Sequence, residues 1–125
     1  MHFTLDPTRP IYLQIIEEIK RRTARGEYQA GKQLPSIRDM AQEMGVNPNT
    51  IARVYSELER EEFIITRRGQ GSFITEEQTR IESERLKLAE SATERFMKEI
   101  QSLDMENGYR KKLLDILTRK FIGKK

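Results

Sequence analysis

The stretch Leu34-Pro35-Ser36-Ile37-Arg38-Asp39-Met40-Ala41, followed closely by Gly45-Val46-Asn47-Pro48-Asn49-Thr50-Ile51-Ala52-Arg53-Val54-Tyr55, constrains the fold more than any other part of the chain. Ser36 stands three residues before Asp39, the spacing of a capping box. Its hydroxyl can accept from the Asp39 backbone N–H, and the carboxylate lies at the positive end of the helix. A helix is therefore predicted from Ser36, with Ile37, Met40, Ala41 and Met44 facing inward. Gly45 supplies the left-handed residue that stops it. Asn47 then caps a second helix with Pro48 at its first position, where the missing N–H costs nothing. Only Val46 separates the stop from the next cap, so the turn is tight. Ile51, Val54, Tyr55 and Leu58 give the second helix an apolar stripe and leave Asn49, Thr50 and Arg53 on its polar side. Two capped helices joined in this way make a helix-turn-helix, whose second helix is built to enter a DNA major groove.

After Glu62 the hydrophobic period drops from 3.6 to about 2. Phe63-Ile64-Ile65-Thr66-Arg67 and Ser72-Phe73-Ile74-Thr75 flank Arg68-Gly69-Gln70-Gly71, which is the pattern of a hairpin. A hairpin directly after a recognition helix is a wing. Arg67, Arg68, Gly69 and Gln70 fall at its tip, where glycine allows close approach to a phosphate or minor groove and arginine favours the negative potential of a narrow groove.

The remainder completes a mainly α chain with a small β-hairpin. Pro10 opens a first helix, Ile11 to about Arg25, with Ile11, Tyr12, Ile15, Ile16 and Ile19 inward and Gly26 ending it. Tyr28 and Leu34 are expected to pack on the core from the connector. Glu76 to about Ser102 reads as a long amphipathic helix with Ile81, Leu88, Ala92, Phe96, Ile100 and Leu103 on one stripe. Asp104 or Asn107 starts a last helix with Tyr109, Leu113, Ile116, Leu117 and Phe121 on its apolar face. The expected organisation is a winged helix-turn-helix domain over residues 1–75 and a two-helix tail over 76–125.

Two tail helices bury too little apolar area to offset the cost of ordering them. A second copy is the economical cover, so Leu88, Ala92, Phe96, Ile100, Tyr109, Leu113, Ile116, Leu117 and Phe121 are expected to form a homodimer interface. Two-fold symmetry then predicts an inverted-repeat operator with half-sites one or two helical turns apart.

Composition narrows the function classes. The chain has 125 residues, 36% of them hydrophobic, a net charge of +3, no Cys and one His, at position 2. Its mean hydropathy is −0.74 and its pI near 9.3, a mild bias towards polyanions. No apolar run approaches the roughly 18 residues of a membrane span, and Met1 to Pro10 lacks a signal-peptide core, so a cytoplasmic location with no membrane association is expected. No Walker-type loop, zinc spacing or dinucleotide fingerprint is present, and carboxylates are scattered over helix surfaces. An enzyme is not expected, nor a metal or cofactor.

Pro10-Ile11-Tyr12-Leu13-Gln14-Ile15, Gly31 before Leu34-Pro35-Ser36, Asn47-Pro48-Asn49-Thr50, Leu58-Glu59 and Arg68-Gly69-Gln70-Gly71-Ser72-Phe73 are weak signals singly and highly specific in this order and spacing. From about Leu5 to Thr75 the chain resembles the DNA-binding domain of GntR-family bacterial transcription regulators. The short remainder resembles the YtrA-type branch, which carries a small helical tail where other branches add an effector-binding or aminotransferase-like domain. The resemblance implies a transcription factor, most often a repressor, that binds double-stranded promoter DNA as a homodimer. It implies DNA contacts at Arg38, in the Leu-Pro-Ser-x-Arg motif with Ser36, and at Asn47, Asn49, Thr50 and Arg53. Some relatives carry arginines where this chain has Pro48 and Ala52, so their base preferences do not transfer. The glycine that usually ends the recognition helix is Glu62 here, which leaves that helix end without the residue that prefers the left-handed conformation and adds a like charge at the negative dipole end.

Blander roles stand beside these. Spacing alone lets Arg38 pair with Asp39 or Glu43, gives Asn47 to the helix cap under either reading, and allows Asn49, Thr50 and Arg53 to be a solvated face. The wing can be a plain hairpin with solubilising arginines, and Lys111-Lys112 and Lys124-Lys125 solvated ends. Winged helices also serve as protein–protein adaptors without sequence-specific DNA binding, and fold does not fix function. A small-molecule effector is conceivable through a cavity involving the tail, with no ligand-specific group in the sequence to name it.

Overall fold

The computed structural model describes residues 3–103 and 107–123. His2, Asp104 and Lys124-Lys125, which entered the sequence reading, lie outside the described residues. Five helices and one hairpin follow in order: α1 (Ile11–Ala24), α2 (Ile37–Met44), α3 (Pro48–Arg60), β1 (Ile64–Arg67), β2 (Gly71–Ile74), α4 (Gln78–Ser102) and α5 (Asn107–Ile122). The chain divides into two compact units, Met1–Leu88 and Ala89–Lys125, called here the head and the tail.

The head is built around Ile15, Ile19, Met40, Ile51, Val54, Leu58, Phe63, Ile64 and Ile74, all essentially inaccessible to water. Caps set the helix starts. Ser36 Oγ accepts from Asp39 N at 3.1 Å, and Asn47 Oδ1 accepts from Asn49 N at 2.8 Å with Pro48 opening α3. Ile11 and Ile37, expected inward, are instead 44% and 39% exposed. Each opens its helix, and helical side chains lean towards the N-terminus, so a first residue leans off the end of the packed stripe.

The three head helices end in the same way. After α2, Val46 N bonds to Ala41 O at 3.0 Å and Gly45 N to Gln42 O at 3.3 Å around Gly45 at φ 71°. After α3, Phe63 N bonds to Leu58 O and Glu62 N to Glu59 O, both at 2.9 Å. This paired 6→1 and 5→2 arrangement needs a left-handed residue, and Glu62 takes it at φ 63°. The sequence expectation of an end lacking its left-handed residue is corrected: the buried Leu58–Phe63 pair and the two hydrogen bonds hold a non-glycine residue in a conformation that costs it about 1–2 kcal/mol. Arg80 of α4 donates to Glu61 O at 3.2 Å and Glu62 Oε1 at 3.3 Å, which counters the acidic charge at this helix end.

Polar groups inside the head are paired. Arg22 donates to Glu18 Oε2 at 3.0 Å, to Tyr28 Oη at 3.0 Å and to Glu43 Oε2, linking α1, α2 and the connector. Gln14 clasps the N-terminal segment, accepting from Asp6 N at 2.7 Å and donating to Asp6 O at 2.7 Å and Arg9 O at 3.0 Å. The first turns of α4 dock through Ile81, 5% exposed, Lys20–Glu84 at 3.3 Å and a bond from Arg85 to Ala24 O at 2.8 Å.

The hairpin pairs antiparallel with Ile64 opposite Ile74 and Arg67 opposite Gly71. The connector before α2 lies along its free edge, with Leu34 N to Ser72 O and Ile74 N to Lys32 O both at 2.8 Å. This third, bridge-length strand was not anticipated, since Lys32-Gln33-Leu34 has too few residues for a period to be read.

In the tail none of the described residues is buried. Met97, Ile100 and Gln101 of α4 and Arg110, Leu113, Leu114 and Leu117 of α5 line an open apolar hollow of about 470 Å³. Phe96, Ile100, Leu113 and Leu117 are half-buried, Ala92 is exposed, and Tyr109, Ile116 and Phe121 are 50%, 38% and 81% exposed. Leu88, the last residue of the head, is half-buried.

Candidate nucleic-acid interface

The first turns of α3 put Asn49, Thr50 and Arg53 on one side, because residues three and four apart on a helix are neighbours. The opposite side, Ile51, Val54, Tyr55 and Leu58, is buried, which fixes the rotation of the helix and directs the polar set outward. Asn49 and Arg53 are exposed and Thr50 half-buried. With Ile11 and Tyr12 of α1 they line a shallow hollow of about 320 Å³. The Arg53 guanidinium carbon lies 3.6 Å from the centroid of the Tyr12 ring.

Asn47 is exposed, with its side-chain oxygen engaged as the cap and its amide N–H2 without a hydrogen-bond partner among the described residues. Ser36 is likewise exposed and engaged as the α2 cap. Arg38, on the first turn of α2, is exposed, and no carboxylate lies within ion-pair distance of it among the described residues; Glu43 is taken by Arg22. Tyr55 holds the approach to α2, donating its hydroxyl to Pro35 O at 2.7 Å. Burial pushes the ionisation of that phenol well above its ordinary range, so it stays a donor at every physiological pH.

The wing tip is a tight turn, closed by Gln70 N to Arg67 O at 2.9 Å with Gly69 at φ 76°, a conformation open to glycine at no steric cost. Gly71, at φ 115°, has a backbone that side-chain-bearing residues rarely adopt, and a Cβ there would displace the end of the Gln33 side chain, whose Nε2 would lie 2.8 Å away. That Gln33 amide donates to Gln70 O at 2.6 Å and ties the wing tip to the segment entering α2. Of the two tip arginines, Arg67 stacks on Phe73 at 4.8 Å and lies 3.6 Å from Glu76 Oε2, whereas Arg68 has no carboxylate partner among the described residues. Arg68, Gly69 and Gln70 are exposed.

Arg38, Arg53 and Arg68 thus share a property the internal arginines lack: each is exposed and without a carboxylate neighbour among the described residues. Exposed, uncommitted guanidinium forks beside amide and hydroxyl groups suit phosphate oxygens and base edges. Sequence reasoning missed two members of this surface. Tyr12 was read as core because its spacing fits the α1 stripe, and Gln33 carried no local signal, because its role depends on the return of the hairpin.

The match to proteins of known kind is extensive. The model of bacterial regulatory proteins of the gntR family covers residues 11–74. YhcF, an HTH-type transcriptional regulator of Bacillus subtilis, is 45% identical over 98 residues, 78% of this chain and 81% of the relative. The HTH-type transcriptional repressor YtrA of the same organism is 45% identical over 74 residues, 58% of this chain and 57% of its own length. Among solved structures, a GntR family transcriptional regulator from Listeria monocytogenes superposes with a TM-score of 0.79 at 37% identity, over 92% of this chain and 98% of that one. With its capped α2–α3 turn, arginine-tipped wing and family match from α1 to β2, the chain belongs to the GntR family of bacterial transcription regulators.

Proposed function

We propose that this regulator is a cytoplasmic, non-enzymatic repressor that binds an inverted-repeat promoter operator as a homodimer. The observation that carries the proposal is the set of uncommitted arginines, Arg38, Arg53 and Arg68, on α2, α3 and the wing. In this reading Asn49, Thr50 and Arg53 meet base edges in the major groove, with Asn47 at the helix entrance. Ser36 and Arg38 hold the phosphate backbone at the start of α2. Arg67, Arg68, Gly69 and Gln70 meet the flanking backbone or minor groove. The tail supports the dimer. Ile100, Leu113 and Leu117 line a hollow that one chain leaves open, and an isologous pair of tails would remove it, with the half-buried Phe96, from water as a four-helix interface.

The test is selection of bound duplexes from a random-sequence pool at fixed salt, followed by titration of the recovered duplex at several salt concentrations. A two-fold symmetric site is expected, with log affinity falling linearly as log salt rises, because each neutralised phosphate releases counterions. Arg53→Ala is expected to cost about 1–3 kcal/mol and to relax selectivity at one base pair per half-site. Recovery of no common sequence, with binding indifferent to salt, would instead point to a protein-adaptor role.

A further inference from the structure

We propose that Tyr12 is a positioning residue for base recognition: its ring is the platform that holds the Arg53 guanidinium in its DNA-reading orientation before DNA arrives. The inference rests on the assignment of Arg53 to a base edge made above. Arg53 lies at the exposed polar side of α3, and an arginine in that setting samples many rotamers, all but one of which are lost on binding. Here the guanidinium lies 3.6 Å from the Tyr12 centroid, van der Waals contact between the two planar groups. Among the described residues no carboxylate competes for it. A stacked guanidinium has one face covered while the N–H donors around its edge stay free, and that edge is what makes a bidentate contact to a guanine.

Tyr12 is suited to the task because it is itself fixed. It is half-buried against the core, on the same helix as the fully buried Ile15 and Ile19. Its hydroxyl has no hydrogen-bond partner within the described residues, so packing of the ring sets its position. The hollow formed by Ile11, Tyr12, Asn49, Thr50 and Arg53 therefore joins α1 to the reading surface of α3. Helix α1 contributes to selectivity through a residue that need not touch a base.

The experiment uses the full chain and a duplex recovered by wild-type protein from a random pool, together with duplexes in which each base pair is changed in turn. Tyr12→Phe, which keeps the ring, is expected to match wild type. Tyr12→Leu is expected to bind the recovered duplex about tenfold more weakly and to lose discrimination at the base pair where Arg53→Ala loses it, with the salt slope unchanged because the phosphate contacts remain. In an Arg53→Ala background, Tyr12→Leu should add nothing. Partial unfolding cannot imitate this pattern, since it would weaken binding to every duplex equally. The inference is overturned if Tyr12→Phe loses as much as Tyr12→Leu, which would make the hydroxyl the active group, or if Tyr12→Leu keeps its full penalty without Arg53. Undiminished binding and selectivity in Arg53→Ala alone would overturn the assignment of Arg53 itself.

Discussion

Leu58 of α3 and Phe121 of α5 sit on the apolar stripes of amphipathic helices, yet Leu58 is fully buried and Phe121 is 81% exposed. The contrast extends to the units they belong to. In the head, α1, α2, α3, the hairpin and the first turns of α4 close on one another, and its buried charges are met by partners such as Glu18 and Tyr28 around Arg22. In the tail, α4 and α5 bring similar residues together and leave them beside water. Apolar spacing specifies which face of a helix seeks cover, and the topology decides whether the same chain supplies it. The head is self-sufficient by this criterion, whereas the described tail residues leave their apolar face uncovered, the feature on which the proposed dimer rests.

The largest effect should come from the head. Phe63→Ala removes a buried core ring between α3 and β1 and is expected to cost about 3–5 kcal/mol, read by urea denaturation and independent of protein concentration. The tail should answer differently. Leu113→Asp places a charge in the open hollow and is expected to weaken self-association at least tenfold while leaving the head folded, so that its melting temperature loses its dependence on concentration. Equal, concentration-independent losses in both variants would erase the contrast between the units.

Much of the head was legible because its signals are local. Ser36, Gly45, Asn47 and Pro48 each act within four residues, and each does what its chemistry predicts. The hairpin was legible for the same reason, through its period and the glycines of its turn. What escaped was set by residues distant in sequence. Gln33 meets Gln70 only once the hairpin returns, and the Tyr12–Arg53 stack joins helices separated by α2. Glu62 was misread because residue preference at a helix end was weighed without the Leu58–Phe63 pair that enforces the turn.

Smaller effects sharpen the account of the head. Tyr55→Phe removes the bond to Pro35 O and should cost about 1 kcal/mol at neutral pH. It should also flatten the alkaline decline in stability. Because burial raises the folded-state ionisation of Tyr55, its contribution is fully present below about pH 10, the ordinary phenol value, and is lost as pH climbs through the higher folded value. Tyr28, also raised by burial, keeps part of that decline in the variant. Denaturant titrations at neutral pH and above pH 10 measure the difference. The smallest change is expected from Glu62→Gly, a gain of about 0.5 kcal/mol, because relief of the left-handed strain exceeds the loss of an exposed pair with Arg80 and the greater freedom of the unfolded chain.

Sedimentation equilibrium of the intact chain across the micromolar range, alone and with a selected duplex, tests the division of labour between the units most directly. The account predicts a two-chain species that persists on dilution into the low micromolar range and binds as two chains per duplex. A folded single chain throughout that range, binding one per duplex, would contradict it.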